Sequence, residues 1–480
     1  MEMNKTILKK SLYIGGSYVE GSSYKSLRSP HSGEVIAEIP VGTREDMRRA
    51  IDHAAEAAKV MAKTPAHQRA AILQNVSLLL KERKEEAARI LTLEAAKPLS
   101  VARGEIARTI ETYQFAADEA RRLHGETIPM DASAMGENRI AYTVRRPVGI
   151  VGAITPFNFP FNLVAHKLGP AFAAGNPVIL KPADQTPLSA FFIAELFEQA
   201  GLPAGALQVV TGRGSEVGDE LVCDERVKVI TFTGSPEVGK SIREKAGLKR
   251  VVLELGSNSG LIIDEGFDID PIIKRTVTGA FTYMGQVCIS LQRIFVHRSL
   301  YDTFVDKFVA ETKNLRIGDP GDETTDIAAL ISQKDVERIA SWVKEAEESG
   351  ARVLTGGVEN NVVKPTVIVD AAPEAKVCAK ETFAPVVVIT PFDTFEEAID
   401  AVNDSTYGLQ AGVYTNSMEH AFQAAELLDV GGVMINDFPT FRVDQMPYGG
   451  VKESGVGREG IKYATEEMTE LKLVCFNRNR

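Results

Sequence analysis

Cys288, in the run GAFTYMGQVCISLQR, and Glu254, thirty-four residues earlier in VVLELGSN, are the residue types from which a nucleophile and its base are built. Each sits in a small-residue turn beside an apolar run. A free cysteine taken alone is more often a small buried hydrophobe. The pair gains meaning if a third group can hold the negative oxygen that forms when a thiolate attacks a carbonyl. ITPFNFPFN supplies one. Asn158 lies between two Phe-Pro-type turns after an apolar run, and a rigid amide donor to an oxyanion is worth about 3 kcal/mol. The competing use of such an Asn is a bond to its own turn.

A second set of residues has the pattern of a dinucleotide cradle. In FTGSPEVGK, Gly234 closes a strand, Ser235 can cap the next helix, and Gly239 permits close helix–strand packing. A helix N-terminus at the carboxyl end of a strand is where a pyrophosphate binds, although a plain tight turn looks the same. GRGSEVG, with Gly212, Gly214 and Gly218, is spaced one residue too long for the dinucleotide fingerprint and is a weak match. KPADQTP places Lys181 and Asp184 just after an apolar run, where both can bond ribose hydroxyls and the lysine can bond a 2′-phosphate. The alternative is a solvated strand end. Other chemistries lack their residues. None of the seven His stands in HExxH, and neither GxSxG nor a Walker pattern occurs.

The elements that must position these groups follow from length and pattern. A chain of 480 residues is too long for one ordinary core and suggests two or three domains. Hydrophobic residues at 44% and charged residues at 25% are those of a soluble globular protein. The net charge of -11 argues against a nucleic-acid partner, which needs a basic surface. No apolar stretch is long enough for a membrane span, and MEMNKTILKKSLYIGG has no apolar h-region of a secretory signal. The four cysteines are scattered with no CxxC pair, which fits neither a disulfide framework nor a metal site. A reducing cytoplasm is the expected compartment.

Along the chain, the first quarter is helical. Thr43 is a candidate N-cap for EDMRRAIDHAAEAAKVM, the next periodic run extends from Ala70 to a proline at Pro98, and a third helix from Glu105 is closed by Gly125. ETIPMDASAMGENRIAYTVRRPVG then reads as a projecting hairpin. From 149 onward short continuous apolar runs alternate with helical segments, in two successive blocks, which is the rhythm of parallel sheets buried on both faces. The fold class is α/β, with two α/β domains and a projecting hairpin.

TPFNFP, KPADQTP, FTGSPEVG, LELGSN, GQVCIS, KETFAPV, YGLQAGVYT and PYGGVKESGVGRE occur in the order of the aldehyde dehydrogenase superfamily, and the chain resembles it over almost its whole length. The resemblance implies a Rossmann-like cofactor domain over 1–125 and 147–255, an oligomerisation hairpin over 126–146, a catalytic domain over 256–455, and a C-terminal segment, 456–480, that joins the hairpin. It implies that Cys288 is the nucleophile, that Asn158 holds the oxyanion together with the Cys288 backbone N–H, and that Glu254 activates water to hydrolyse a thioester. NAD or NADP would be bound by Thr155, Pro156, Lys181, Asp184, Gly214, Phe232, Gly234, Ser235, Leu255, Glu381 and Phe383, the last two at the nicotinamide ribose and ring. No metal is implied, and a homodimer or homotetramer is expected.

The implied reaction is oxidation of a small aldehyde to the acid. Arg108, and Arg442 in FPTFRVDQMPYGG, flank regions that line the family's aldehyde channel. Arg108 falls where non-phosphorylating glyceraldehyde-3-phosphate dehydrogenases carry an anion-binding arginine, so an anionic substrate is expected, with glyceraldehyde 3-phosphate, lactaldehyde or a semialdehyde as candidates. Two arginines suit a phosphate, sulfonate or carboxylate. Val287 replaces a basic residue that the same branch often carries, and a surface arginine on each element is the plainer reading. Acylating relatives that hand the acyl group to coenzyme A tend to lack the glutamate, which favours a free acid here. Transfer to coenzyme A and a silent binding homologue are the alternatives. Ser257 and Asn258 depart from the family's Gly-Lys, and Asp184 stands where NAD-specific members often have Glu.

Overall fold

The computed structural model describes residues 8–359 and 362–478. Its first large sheet contains five parallel strands: β1 (Ile150–Ile154), β2 (Val178–Lys181), β3 (Leu207–Val209), β4 (Val227–Thr233) and β5 (Arg250–Glu254). Their order is β5-β4-β1-β2-β3, extended at the two edges by antiparallel Gly455–Val456 and Leu12–Ile14. The runs IVGAI, VILK and LQV are apolar at almost every position because helices cover both faces of the sheet.

The chain leaves β1 for β2 and β3, then returns to lay β4 on the other side of β1. Connections on either side of that point diverge, and a crevice opens beyond the carboxyl ends of β1 and β4. Thr155, Pro156 and Asn158 follow β1, Lys181 ends β2, Gly234 and Ser235 follow β4, and Glu254 ends β5. Topology alone therefore gathers these residues on one rim.

A second sheet faces that rim. It is built from β6 (Gly260–Ile263), β7 (Arg293–His297), β8 (Thr366–Val369), β9 (Val386–Phe392), β10 (Gln410–Tyr414) and β11 (Gly432–Ile435), all parallel, in the order β8-β9-β7-β6-β10-β11, with antiparallel Arg352–Thr355 at the β8 edge. β5 ends at Glu254 and β6 begins at Gly260, so the chain passes from one sheet to the other in a few residues. Cys288 precedes β7, while Glu381 and Phe383 precede β9. The carboxyl edge of the first sheet thus meets the amino edge of the second.

Most of the expected helices form, with two differences. Thr43 caps Arg44–Met61 through a reciprocal bond with Asp46, as its sequence suggests. The periodic run after Ala70 is two helices, Ala66–Glu82 and Lys84–Ala95, broken at Arg83. Arg83 reaches Glu86 and Glu195 and lies over the Phe192 ring, so side chains outside the run hold the bend. Gly125 does not close its helix, which ends at Arg122. A Cβ at Gly125 would fall 1.8 Å from the carbonyl oxygen of Thr143, so close backbone approach is what requires glycine there.

Arg139–Pro147 pairs with Thr127–Ile128 on one side and along its whole length with the final strand, Thr469–Asn477, on the other. Both faces of this three-stranded sheet carry exposed apolar side chains, Ile140, Tyr142 and Phe476 on one and Leu471 and Leu473 on the other. Among the described residues no helix is long and apolar enough to cross a membrane.

Candidate active site

A buried ion pair sets the first part of the site. Lys97 and Glu105 are enclosed and bonded to one another. Lys97 also donates to the Asn158 carbonyl at 2.6 Å, and Glu105 accepts the backbone N–H groups of Phe161 and Asn162 at 2.9 and 3.2 Å. That carboxylate satisfies the open N-terminus of the helix Asn162–Ala174, so both ends of the Asn158 turn are tied to one charge pair. The Lys97 ammonium further lies 4.0 Å from the Phe159 ring centre and 4.3 Å from that of Tyr283.

Tyr283 belongs to the turn that presents Cys288. Tyr283 and Met284 have φ of 50° and 53°, and Gly285 follows at 69°. Left-handed non-glycine residues cost of order 1–3 kcal/mol each and persist only where packing over-determines them. Both side chains are fully buried, and a Cβ at Gly285 would fall 2.2 Å from the Ala384 carbonyl. Asn158 Nδ2 donates to the Gln286 carbonyl at 3.0 Å, which joins this turn to its own. A primary amide has two N–H groups, and the second is left for another acceptor.

Cys288 is partly exposed, and its Sγ lies 2.8 Å from the Tyr448 hydroxyl. Burial pushes the thiol up to about 11; the Tyr448 contact and the Arg442 charge pull it back, while Glu381 and Glu254 push it further. The resting thiol is therefore neutral at physiological pH. Glu254 is enclosed, and neither of its oxygens has a partner among the described residues. Burial first, and then the neighbouring Glu459, raise its carboxyl well above the ordinary range, against Arg442, Lys167 and Arg458.

Beneath these two groups lies a cluster of charges. Glu459 accepts from Lys167 at 3.1 Å and from Arg442 at 2.9 Å, and Lys167 also donates to Thr231 and Thr233. Burial opposes ionisation of Glu459, but Lys167 and Arg442 outweigh it and hold the carboxylate at about 2. Asp444 accepts from Arg108 at 2.6 Å, Asn162 at 3.0 Å and His166 Nε2 at 2.8 Å. Against its burial, the His166 and Arg108 contacts hold it well below the carboxylate range. His166 is lowered, chiefly by burial and then by Arg442, so it is neutral with the Nε2 proton on Asp444. Arg442 stacks 3.6 Å from the centre of the Tyr448 ring, and its Nε has no partner among the described residues. It is not a surface arginine. Arg108 is partly exposed and already paired with Asp444.

The expected coenzyme residues line the facing rims. Ser235 caps the helix Pro236–Lys245 by accepting from Val238 N–H. A Cβ at Gly234 would fall 2.4 Å from the Phe232 ring, and one at Gly239 would fall 2.6 Å from Leu255, so this strand–turn–helix closes only with glycine at both positions. Lys181 is buried with only the Pro182 carbonyl at 3.0 Å and Asp184 at 3.6 Å, which leaves donor capacity unused. Thr155 N–H bonds to the Lys181 carbonyl, and Pro156 leads into Phe157, whose ring meets Phe383 edge-on at 5.7 Å. Phe383 itself has φ of 47°. Glu381 accepts from Ser257 N–H at 3.0 Å, and burial pushes its carboxyl up to about 7. A groove of about 730 Å³ beside Asp184 is bordered by Lys25, Arg28, Arg213 and Glu216. Gly214 opens the turn that follows Arg213, and a Cβ there would meet open space. A glycine-lined helix start, a buried amine with free donors and a fixed carboxylate fit a dinucleotide.

Ser257 and Asn258 do not loosen their loop. Asn258 donates to the Cys378 carbonyl at 2.9 Å and accepts from Ser405 at 2.8 Å. Sequence reading missed Tyr448, His166, Lys167, Asp444, Glu459, Lys97 and Glu105. The legible signal was a His-Lys pair inside the otherwise apolar helix NLVAHKLGPAFAA, every residue of which is buried.

The family model for the aldehyde dehydrogenase family matches residues 18–474. A 3-sulfolactaldehyde dehydrogenase of Priestia aryabhattai is 46% identical over 467 residues, covering 97% of this chain and 98% of that one. The crystal structure of aldehyde dehydrogenase 21 from Physcomitrella patens, in complex with the reaction product succinate, superposes with a TM-score of 0.96 at 41% identity, covering 99% of each chain. That of glyceraldehyde-3-phosphate dehydrogenase GapN from Methanocaldococcus jannaschii, complexed with NADP, gives 0.92 at 41% identity, over 95% of this chain and 100% of that one. The chain belongs to the aldehyde dehydrogenase family. It is an aldehyde oxidoreductase that uses NAD or NADP, with the fold that its motifs imply.

The raised carboxyl of Glu254 has a consequence for stability. A carboxyl held neutral in the folded state binds its proton more tightly than in the unfolded chain, so its stabilisation is complete in acid and is lost as pH rises through the elevated value. Glu254→Gln is neutral throughout. Its melting temperature relative to the wild type is expected to improve between pH 5 and pH 8.5, and a constant difference would show that Glu254 is not held neutral.

Proposed function

We propose that this enzyme oxidises a small anionic aldehyde to its carboxylic acid through a covalent intermediate on Cys288. The Cys288 thiolate attacks the carbonyl carbon, and the new oxyanion is held by the free Asn158 N–H and the Cys288 backbone N–H. The nicotinamide coenzyme, held by Lys181, Ser235 and Glu381 when bound, supplies the acceptor for the hydride that turns the thiohemiacetal into a thioester. Glu254 then takes the proton of an attacking water, and the acid leaves. A carboxyl raised above the ordinary range is a stronger base than a free one, which suits that task. No coenzyme A is needed, since a carboxylate placed beside the sulfur can serve water.

The observation that carries the substrate class is the Arg442 Nε, buried without a partner among the described residues. Arg108, Arg442 and Lys167 gather around the carboxylates of Asp444 and Glu459. The Arg442 Nε wants an acceptor. A sulfonate, phosphate or carboxylate on a short aldehyde supplies it. The relatives support this reading, since one is named for 3-sulfolactaldehyde and one was solved with succinate. Glyceraldehyde 3-phosphate, lactaldehyde and a semialdehyde stay the candidates, the charged ones favoured.

We further propose that the sheet formed by Arg139–Pro147 and Thr469–Asn477 joins copies of the chain into a dimer or tetramer. Its exposed Ile140, Tyr142 and Phe476 on one face and Leu471 and Leu473 on the other are apolar surface of the sort that interfaces cover.

Three measurements test these proposals. In Glu254→Gln, mixing with aldehyde and coenzyme is expected to give a burst of about one reduced coenzyme per site followed by slow turnover; linear turnover at the wild-type rate removes Glu254 as the base. Arg442→Gln is expected to lower kcat/KM for anionic aldehydes by about 100-fold, the loss of one buried charge pair, with neutral aldehydes changed only a few-fold. Equal losses on both would end the anion reading. Light scattering is expected to give a dimer or tetramer that Leu471→Asp with Leu473→Asp dissociates, and a monomeric wild type would overturn the assembly.

A further inference from the structure

Tyr448 is 3% exposed, and among the described residues its hydroxyl has one hydrogen-bond partner, Sγ of Cys288 at 2.8 Å. A buried O–H without an acceptor is costly, so the proton of this phenol is directed at sulfur. A neutral thiol is a weak acceptor, whereas a thiolate is a strong one. The same contact therefore strengthens when Cys288 ionises.

The ring cannot swing away from the sulfur. The backbone of Tyr448 exchanges two hydrogen bonds with Glu459, at 3.0 and 2.6 Å, and the Glu459 side chain is itself held by Lys167 and Arg442. The guanidinium carbon of Arg442 lies over the ring, 3.6 Å from its centre. A cation over the face of a phenol draws electron density from it and makes its O–H a better donor. We propose that Tyr448 is a further catalytic residue, whose hydroxyl donates to the Cys288 sulfur and stabilises the thiolate over the thiol.

The proposal rests on Cys288 being the nucleophile and adds what stabilises its thiolate. It also bears on the last step. When the tetrahedral adduct of water and thioester collapses, the carbon–sulfur bond breaks and its electron pair goes to sulfur, where the same O–H receives it. Both the attacking and the departing thiolate are then stabilised by one donor that never touches the substrate's charged end.

Alkylation of Cys288 by iodoacetamide, followed on the Cys288 peptide by mass spectrometry, tests this without coenzyme or substrate. At pH 8, Tyr448→Phe is expected to be alkylated about three- to tenfold more slowly than the wild type, because a smaller thiolate fraction is partly offset by greater nucleophilicity. Placing 3-fluorotyrosine at Tyr448 makes the phenol a stronger donor and is expected to move the midpoint of the rate–pH curve downward. That protein keeps the ring, so it decides the matter if Tyr448→Phe does not fold. An equal or faster rate in Tyr448→Phe, or an unmoved midpoint with 3-fluorotyrosine, overturns the assignment. With coenzyme present, Tyr448→Phe should lower kcat on anionic and neutral aldehydes alike; a loss confined to anionic ones would make Tyr448 a substrate-binding residue instead. Full activity in Cys288→Ala would instead remove the nucleophile itself, a separate failure.

Discussion

The active site depends on a charge that has nowhere else to go. The Lys97 ammonium is taken wholly out of water and is satisfied by the Glu105 carboxylate, the Asn158 carbonyl and the faces of two aromatic rings. Removing one member of such a pair typically costs 3–5 kcal/mol, because the other is left buried and uncompensated. Lys97 opens onto the helix Leu99–Arg122, Asn158 follows a strand of the first sheet, and Tyr283 lies in the turn before Cys288. Satisfying one ammonium thus fixes Asn158 and the turn that presents Cys288 relative to one another. The left-handed residues at Tyr283 and Met284 are held in place by the same burial.

A second buried cluster, centred on Arg442, sets the electrostatics. It holds the Glu459 and Asp444 carboxyls low while burial raises the Glu254 carboxyl and the Cys288 thiol and lowers His166. Groups of the same type, within one small region, are thereby shifted in opposite directions by which of them is paired. An enclosed carboxyl with no partner is raised, and one bonded to Lys167 and Arg442 becomes a fixed counter-charge. The same arginine keeps one buried donor without a partner among the described residues and lies against the ring that touches the sulfur.

The two sheets explain why these groups come from such distant parts of the chain. Residues after β1, β2 and β4 and at the end of β5 gather at the switch point of the first sheet, whereas Cys288, Glu381 and Phe383 come from loops that enter the second. The short passage from Glu254 to Gly260 forces the two rims together. The rim that carries Lys181 and Ser235 is then opposed by the Cys288 thiol on the other, with no long loop required to bring them into reach.

The fold class, the alternation of strands and helices, and the thiol, amide and carboxylate could all be read from the sequence, because each has a local signature. Continuous apolar runs mark parallel strands, and residues such as Cys288, Glu254 and Asn158 stand in turns whose small neighbours show that something approaches closely. The break at Arg83 and the purpose of Gly125 were not legible, since Glu195 and Thr143, which decide them, lie far away in the chain. Nor was the protonation of the site. Arg442 and Asp444 are two letters apart in FRVDQ, but the first bonds Glu459 and the second Arg108 and His166, and only their burial together makes one a free donor and the other a permanent anion. Sequence determined which chemical groups the protein has and the repeating pattern that folds them; tertiary structure decided which of them lose water and which find a partner, and desolvation without a partner is what turns an ordinary side chain into a reactive one.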